Sequence, residues 1–559
     1  MNILGLNAVF HESAAAIVVD GRVVAACEEE RFSRIKHAKE AKVDNPHELP
    51  EQAARFCLDY AGLRPDDIDI VAYSFEPRLR RLKFRPEWWP NSSLESAFLQ
   101  SLDEVDDAVA RMLGRRFGQA LKFVPHHLAH AASAYYPSGF DKAAILVIDG
   151  IGEADCTMLA RGEGNHIGVL ASLSYPHSLG FVWEQASVYL GFSPYDAAKV
   201  MGLAAYGDPE VFRSAFASII QEGEQGYAVD AETIGFKSLE PRRLVALFGP
   251  GRAPDGEFLR HHMNVAAALQ DATDRAALSL LRRLEREAGG GALCLAGGVA
   301  LNCVTNDRIA RAGVFSDVFI PSAPHDAGTA IGAALVAHCA KRGSKRPTGG
   351  ATPYLGPEFD EREALAAVRA AGLKPRKCRD APREAAEMIA DGNIVGWFQG
   401  RMEFGPRALG NRSLLADPRR PDTRAILNQR VKHREDFRPF APSVLAEHAE
   451  EWFDLGPSSR SHEFMLFACP TKPGRAARIP AVIHEDGTAR VQIVRRAANP
   501  RYHALISRFF ERTGVPLVLN TSFNDNEPIV CTPADAVATF RGAGLDALFL
   551  GDICVTGDG

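Results

Sequence analysis

Three apolar runs end abruptly in loops of small or acidic residues, and this pattern constrains the chain more than any other feature. Residues 2–6 lead into the polar stretch 7–13. Residues 143–148 run into Asp149-Gly150-Ile151-Gly152-Glu153, and Ala292–Ala296 ends in Gly297-Gly298. Runs of this length, apolar throughout, read as buried strands. Ala14–Val19 and residues 23–27 flank Asp20-Gly21, a two-residue hairpin signal, and a further extended stretch, 156–160, follows the loop at Asp149. Strands that end in such loops, met in related patterns along one chain, are what a phosphate-binding α/β fold with two related halves requires. Any α/β enzyme also has strands followed by Gly-rich turns, so the pattern speaks to fold class before it speaks to ligand.

With 559 residues the chain is too long for one core, and two to four units are expected at about 100–200 residues each. The stretch 341–356 (KRGSKRPTGGATPYLG) is rich in Gly, Pro and basic residues with little apolar periodicity, and it predicts a linker dividing 1–345 from 346–559. Beyond it, helices are predicted over 362–371 and 382–390 and a buried strand over 393–398. Hydrophobic residues make up 46% and charged residues 24%, an ordinary globular balance that argues against disorder. No apolar run approaches the ~18–20 residues of a membrane span. Asn7, His11 and Glu12 interrupt the first apolar stretch, which lacks a signal peptide's basic flank, and the ten cysteines form no C-x-x-C pair. A cytoplasmic protein with reduced thiols is the expectation.

Pro125-His126-His127-Leu128-Ala129-His130 follows the apolar residues 121–124. Pro125 suits a helix start, which puts His126 and His130 one turn apart on one face, a spacing that can place two imidazoles on one metal. Capping or core histidines would give the same spacing. Asp149 directly after a strand, and Asp326 in Pro321-Ser-Ala-Pro-His-Asp-Ala-Gly328, offer carboxylates; two His with one or two Asp suit iron or zinc with open positions. Gly297-Gly298 with Asn302, and Lys199 in Lys199-Val-Met-Gly202-Leu203, offer backbone N–H groups, an amide and a cation to a nucleotide; Gly-Gly is also an ordinary tight turn.

The C-terminal half is denser in signal. Residues 401–438 hold nine Arg and one Lys against five acids, a local +5 that leaves −11 for the rest of a chain of net charge −6. Arg401, Arg407 and Arg412 lie among turn formers in Gly400–Ser413, and Lys432-x-Arg434-x-x-x-Arg438 follows. Arg490 and the polar cluster Asn520-Thr-Ser522-Phe-Asn524 come later. Planar guanidiniums bind phosphates bidentately and Lys adds a point charge, so this set fits a polyanion better than a single carboxylate. The aromatics of 84–89, with Trp88 and Trp89 adjacent, and Phe98 read as core packing or as walls of an acceptor pocket.

These residues together resemble the O-carbamoyltransferases of the NodU/CmcH/TobZ type, over nearly the whole chain. The resemblance rests on Asn7-x-x-x-His11-Glu-Ser-Ala14, Glu28-Glu-Glu-Arg-Phe-Ser-Arg34, the His126/His130 pair, Lys199-Val-Met-Gly-Leu-Ala-Ala-Tyr-Gly207, Gly297-Gly-Val-Ala-Leu-Asn302, Phe404-Gly-Pro-Arg-Ala-Leu-Gly-Asn-Arg-Ser413, His433–Pro442 and Asn520–Asn524. It implies an N-terminal actin-like (ASKHA) duplicated α/β domain followed by a C-terminal YrdC-like α/β domain. It implies that the second domain makes carbamoyl adenylate from ATP, carried with Mg2+, and carbamoyl phosphate. The first domain would then pass the carbamoyl group to a hydroxyl of a small molecule such as a natural product or antibiotic. Carried over by position, His126, His130, Asp149 and Asp326 match the metal ligands, usually of iron(II), and His11 the catalytic histidine. Lys199, Gly202, Gly297, Gly298 and Asn302 fall in the adenylate motifs of the first domain. Arg407, Lys432, Arg438, Arg490 and Ser522 match the anion-binding set of the second. Asp196-Ala197-Ala198 before Lys199, and Ile493 where Thr is common, depart from the family pattern.

A tRNA threonylcarbamoyl-adenosine enzyme shares both folds, but the −11 balance outside 401–438 speaks against a nucleic-acid surface. A non-catalytic nucleotide or sugar sensor would have no use for a second polyanion pocket. The expected partners are ATP, carbamoyl phosphate and a hydroxylated acceptor, without nucleic acid or membrane; the oligomeric state stays open, a homodimer included.

Overall fold

The computed structural model describes residues 1–39, 45–88, 93–233, 240–457 and 460–557. Trp89 of the aromatic stretch lies outside the described residues. The chain divides into two compact units, one formed mainly by Met1–Glu29 and His37–Ala351, the other by Glu30–Lys36, Thr352–Gly456 and the residues after 460.

The first unit holds two five-stranded sheets of one design. In the first sheet β1 (Asn2–Asn7) pairs antiparallel with β2 (Ala14–Val19), and β2 antiparallel with β3 (Arg22–Glu28). On its other side β1 runs parallel to β4 (Ile70–Tyr73), and β4 parallel to β5 (Leu121–Phe123). The second sheet begins with β6 (Lys142–Ile148), β7 (Asp155–Glu163) and β8 (His166–Ser174). After a separate hairpin of β9 (Ile220–Gly223) and β10 (Gly226–Val229) it takes up β11 (Ala292–Ala296) and β12 (Asp317–Phe319). The orders across the sheets are β3-β2-β1-β4-β5 and β8-β7-β6-β11-β12, with the same sense at each corresponding pairing. This is the duplicated actin-like α/β architecture. Both central strands, β1 and β6, are buried along nearly their whole length.

The predicted hairpin turn is present: Asp20 and Gly21 both have positive φ, +48° and +82°, the twist that suits a two-residue connection. The helix His126–Ser138, rich in Ala and Ser, packs against the helix Thr329–Cys339 at very short range. A Cβ at Gly332 would sit 1.8 Å from the Ala129 carbonyl oxygen, so only glycine permits this approach. The contact holds the His126/His130 helix beside the turn that carries Asp326. The longest helix, Arg260–Ala288, buries one face and exposes a charged one. Among the described residues no helix is long and apolar enough to cross a membrane.

The second unit is built on one mixed sheet. Its strands are β13 (Arg376–Lys377), β14 (Val395–Phe398), β15 (Arg412–Ala416), β16 (Ala441–Leu445), β19 (Gln492–Val494), β20 (Leu517–Ser522), β21 (Ala547–Leu550) and β22 (Ile553–Thr556); β17 (Ala468–Pro470) and β18 (Thr488–Arg490) form a separate pair. The order is β13-β22-β21-β14-β15-β20-β16-β19, with β14/β21 and β16/β19 parallel and the rest antiparallel. Helices Ala381–Ala390 and Pro500–Thr513 pack together, as do Glu361–Ala370 and Pro533–Gly542. This is the α/β unit expected as YrdC-like.

Two boundaries differ from the expected division at 345/346. The break falls between Ala351 and Thr352, because the expected linker is bound to the first unit. Arg346 donates to the Gly164 carbonyl at 2.9 Å and lies 5.0 Å above the Tyr135 ring. Thr348 N–H donates to the Gly21 carbonyl at 2.9 Å. The segment Glu30–Lys36 belongs with the second unit: Arg31 donates to Gly405 O at 2.9 Å, and Arg34 to Ile529 O and Pro528 O at 2.8 and 2.6 Å.

Candidate functional site: a buried His/Asp cluster and a four-cation cluster

In the first unit, β6 ends in Asp149, the His126–Ser138 helix begins with His126, and Asp326 opens the turn before Thr329–Cys339. All three, with His130, are buried. His126 Nε2 lies 3.4 Å from Asp149 Oδ2 and 3.5 Å from Asp326 Oδ1. His130 Nε2 lies 3.6 and 3.3 Å from the same two oxygens. Among the described residues neither Nε2 has a hydrogen-bond partner, and one donor atom from each of the four residues lies within 4.8 Å of the others. Donors held at ~2.1 Å around a tetrahedral ion stand about 3.4 Å apart, so these nitrogen–oxygen edges fit a divalent transition metal. The cluster can bind such an ion.

Its charges carry the same message. Burial would push both imidazoles down, yet the Asp326 and Asp149 carboxylates raise His126 well above its usual range and raise His130 too. Burial would push both carboxyls up, but the surrounding imidazoles hold Asp149 and Asp326 below the ordinary range. Two buried carboxylates this close need either imidazolium protons or a bound cation to balance them.

The ligands are fixed from behind. His126 Nδ1–H donates to Ser74 O at 3.1 Å, which aims Nε2 at the cluster. Ser74 Oγ donates in turn to Asn7 Oδ1 at 2.8 Å. Gly298 N–H donates to Asp149 Oδ1 at 2.9 Å, leaving Oδ2 toward the imidazoles. Gly297 has φ +92°, and a Cβ there would meet Ile148 O at 2.2 Å. The Gly pair thus also orders the carboxylate of Asp149.

Asn302 also has local partners. Its Oδ1 caps the helix Cys303–Arg311 through Val304 and Thr305 N–H at 3.2 and 3.1 Å, and its Nδ2 donates to Gln270 at 3.0 Å. Gln270 and Thr305 both donate to Asp274 Oδ1, at 2.8 and 2.7 Å. Burial pushes Asp274 up to about 6, only partly offset by those two hydrogen bonds. A raised carboxyl pKa stabilises the fold fully below the unfolded value near 4, and that contribution is lost as pH rises through about 6. Asp274→Asn keeps a neutral Oδ1 acceptor and is expected to add up to about 3 kcal/mol at pH 8, and less at pH 5. Equal shifts in unfolding midpoint at the two pH values would contradict this.

Lys199 and Gly202 lie on the helix Ala197–Ala204, where Lys199 Nζ pairs with Asp196 Oδ2 at 3.1 Å. His11 lies in the turn after β1, beside a carboxylate that sequence reasoning did not single out. Glu12 Oε1 accepts from His37 Nδ1 at 2.5 Å and stands 3.9 Å from His11 Nδ1, while Oε2 stands 3.8 Å from His325 Nε2. Burial would raise Glu12, but the hydrogen bond from His37 and the charges of His325, His37 and His11 bring it down to about 2. Glu12 and His37 both have positive φ, +59° and +64°. Glu12 adjoins His11 and His325 adjoins Asp326 in the sequence, a signal that was available; His37 carries none. Phe84 and Phe98 are buried core residues that hold Arg80 between them, 3.2 and 5.1 Å from its guanidinium carbon. Trp88 lies half-buried, 5.0 Å from the Tyr175 ring.

In the second unit, Lys432 is 3% exposed and donates to Ser522 O, Asn524 O and Asn524 Oδ1 at 2.6, 2.6 and 2.7 Å. Burial, with Arg434 and Arg438 close by, pushes its pKa well below the usual lysine range. Arg434 falls to about 9 through burial and the charges of Arg438 and Arg490. Four cations thus share one field. His484 is lowered to about 4, chiefly by burial, with Arg490 and Arg424 adding to it against Asp486. A cavity of about 520 Å³ lined by Arg424, Asp436, Ile483 and Glu485 lies in this unit. Lys432 is held by oxygens of Ser522 and Asn524, and Arg438 lies 3.8 Å from Glu435; a bound polyanion would add further favourable charge to this cluster.

Three of the expected anion set, Lys432, Arg438 and Arg490, are brought together, and Ser522 touches Lys432. Arg434 belongs with them and was left out of the expected set although it lies in the same run. Arg407 is half-buried in a loop organised by Glu403, whose Oε1 accepts from Leu409, Asn411 and Arg412 N–H at 2.6, 2.8 and 3.3 Å. Arg412 instead donates to the carbonyls of Gln399 and Pro357 at 2.6 and 3.1 Å, and Arg401 to that of Gly356 at 3.2 Å. Arg419 and Arg420 pair with Asp417 and Asp422 at 2.6 and 3.0 Å. Much of the local +5 is therefore structural.

Residues 2–335 match the family described as "Carbamoyltransferase N-terminus", and 386–556 that described as "Carbamoyltransferase C-terminus". The nodulation protein NolNO of Sinorhizobium fredii is 40% identical over 98% of this chain and 79% of its own length. An uncharacterized protein of Synechocystis is 36% identical over 98% and 95%, and nodulation protein NolO of Bradyrhizobium diazoefficiens is 40% identical over 77% and 78%. Among solved structures, T. kodakarensis HypF aligns with a TM-score of only 0.30 at 16% identity, over 61% of this chain and 48% of that one.

Proposed function

Because the chain belongs to the carbamoyltransferase family and is a transferase, we propose that it is an ATP-dependent O-carbamoyltransferase whose two units run separate half-reactions. The observation that carries this reading is that each family-matched region holds its own polar centre: four neutralisable donors in one, four clustered cations in the other.

In the second unit, Lys432, Arg434, Arg438 and Arg490 bind the phosphates of ATP, which arrives with Mg2+, and of carbamoyl phosphate. Fixed cations there stabilise the charge that develops as pyrophosphate leaves. Arg407 and Ser522 complete the anion set. One water cleaves carbamoyl phosphate to carbamate and phosphate, the carbamate oxygen attacks the α-phosphorus of ATP, and the products are carbamoyl adenylate, pyrophosphate and phosphate.

In the first unit, His126, His130, Asp149 and Asp326 hold a divalent metal, iron(II) on the family resemblance. Bound there, the ion supplies positive charge to polarise a carbamoyl oxygen or to bind the adenylate phosphate. In this reading His11 removes the acceptor hydroxyl's proton, and Glu12 and His37 hold the turn on which it sits. Lys199, Gly202, Gly297, Gly298 and Asn302 line the adenylate region, the last three through the backbone they order. The acceptor is a hydroxylated small molecule, and AMP leaves as its hydroxyl takes the carbamoyl group.

The test is pyrophosphate release by the purified protein given ATP and radiolabelled carbamoyl phosphate. Release should require both substrates and should be indifferent to added tRNA; label should pass to a hydroxylated compound in a mass-spectrometric screen. Absence of carbamoyl-phosphate-dependent release would overturn the reading.

A further inference from the structure

We propose that His127 holds Asp149, which would be a metal ligand, from outside the donor set, by donating its Nε2–H to Asp149 Oδ2. This rests on the metal reading above and assigns a role to the one imidazole of the His126–His130 run that the reading leaves idle.

On a helix, His127 is turned by about 100° from His126 and would ordinarily face a different neighbour. It is nevertheless only 4% exposed. Neither of its ring nitrogens has a hydrogen-bond partner among the described residues. Two unpartnered polar atoms in the interior are costly unless a partner is close. The closest carboxylate recorded is that of Asp149: Nε2 lies 3.7 Å from Oδ2, a few tenths of an ångström beyond a hydrogen bond. The same oxygen faces His126 and His130. His127 is not part of the mutually close set of four donors, so it meets Asp149 from the side rather than from the metal position. Gly152 keeps the loop after β6 tight against this face, since a Cβ there would lie 3.1 Å from His126 Cβ and 3.5 Å from His127 Cδ2.

Asp149 is then held at both oxygens, by Gly298 N–H at Oδ1 and by His127 at Oδ2. A carboxylate restrained in this way would turn less freely and would keep Asp149 in place for a bound metal. Hydrogen-bond partners of ligating carboxylates tune metal affinity, typically by about 10–100-fold.

The experiment is a titration of the full-length protein with zinc(II) against a chromophoric chelator, for the wild type, His127→Leu and His127→Gln. Leu removes the donor; the Gln amide nitrogen stands as far from Cβ as imidazole Nε2 and can donate but would replace a metal-bound imidazole poorly. The expected result is affinity about 10–100-fold weaker for Leu, with most of it restored by Gln. If the Leu protein does not fold, His127→Met takes its place. Leu affinity within twofold of wild type, or Gln as weak as Leu, would overturn the proposal. A wild type that takes up no metal would instead overturn the metal reading on which it rests.

Discussion

Replacing His130 with Ala is expected to lower bound metal and carbamoyl transfer together. His130 Nε2 is buried, has no hydrogen-bond partner among the described residues, and lies 3.3–3.6 Å from the two carboxylate oxygens. Its loss leaves three donors around a site built for four, and the effect should exceed the ~10–100-fold typical of losing an outer hydrogen-bond partner. The variant also leaves two buried carboxylates with one fewer imidazole to balance them. Metal content by elemental analysis, alongside pyrophosphate release as a control for the second unit, checks this; full metal content with full transfer would contradict it.

Lys432→Met is expected to have the opposite profile. Met fills similar space but removes the charge beside Arg434, Arg438 and Ser522. Loss of one positioned electrostatic donor typically costs about 10²–10³-fold in rate, and carbamoyl-phosphate-dependent pyrophosphate release should fall by that much. Stability should change less, because the removed ammonium is 3% exposed and disfavoured by burial, although three oxygen acceptors lose their donor. Unchanged pyrophosphate release would contradict the assignment of this cluster.

What could be read from the sequence divides along physical lines. Strand positions were legible where apolar runs met sharp punctuation: Ala292–Ala296 and Ala14–Val19 lie where expected, and Asp20-Gly21 makes the expected turn. The His126/His130 pair was legible because helical spacing alone puts both imidazoles on one face. Partners distant in sequence were not. Nothing local indicates that His37 reaches Glu12, or that Gly298 N–H meets Asp149. Residue type also misled where one chemistry serves two ends. Asn302 can bind a ribose as well as it caps a helix, and Arg412 can bind a phosphate as well as it gathers backbone carbonyls. In both cases local structural partners are present that the sequence alone does not reveal. The tract 341–356 has a linker's composition, yet Arg346 finds Tyr135 and Gly164 only once β7 and the His126–Ser138 helix are in place.

The division of labour between the two units is tested most directly by assaying both half-reactions side by side in His130→Ala and Lys432→Met. One assay follows pyrophosphate release from ATP and carbamoyl phosphate; the other follows carbamoyl transfer from supplied carbamoyl adenylate to a hydroxylated acceptor. The account predicts that His130→Ala keeps the first and loses the second, and that Lys432→Met loses the first and keeps the second. Parallel loss of both steps in both variants, with the proteins folded, would contradict it.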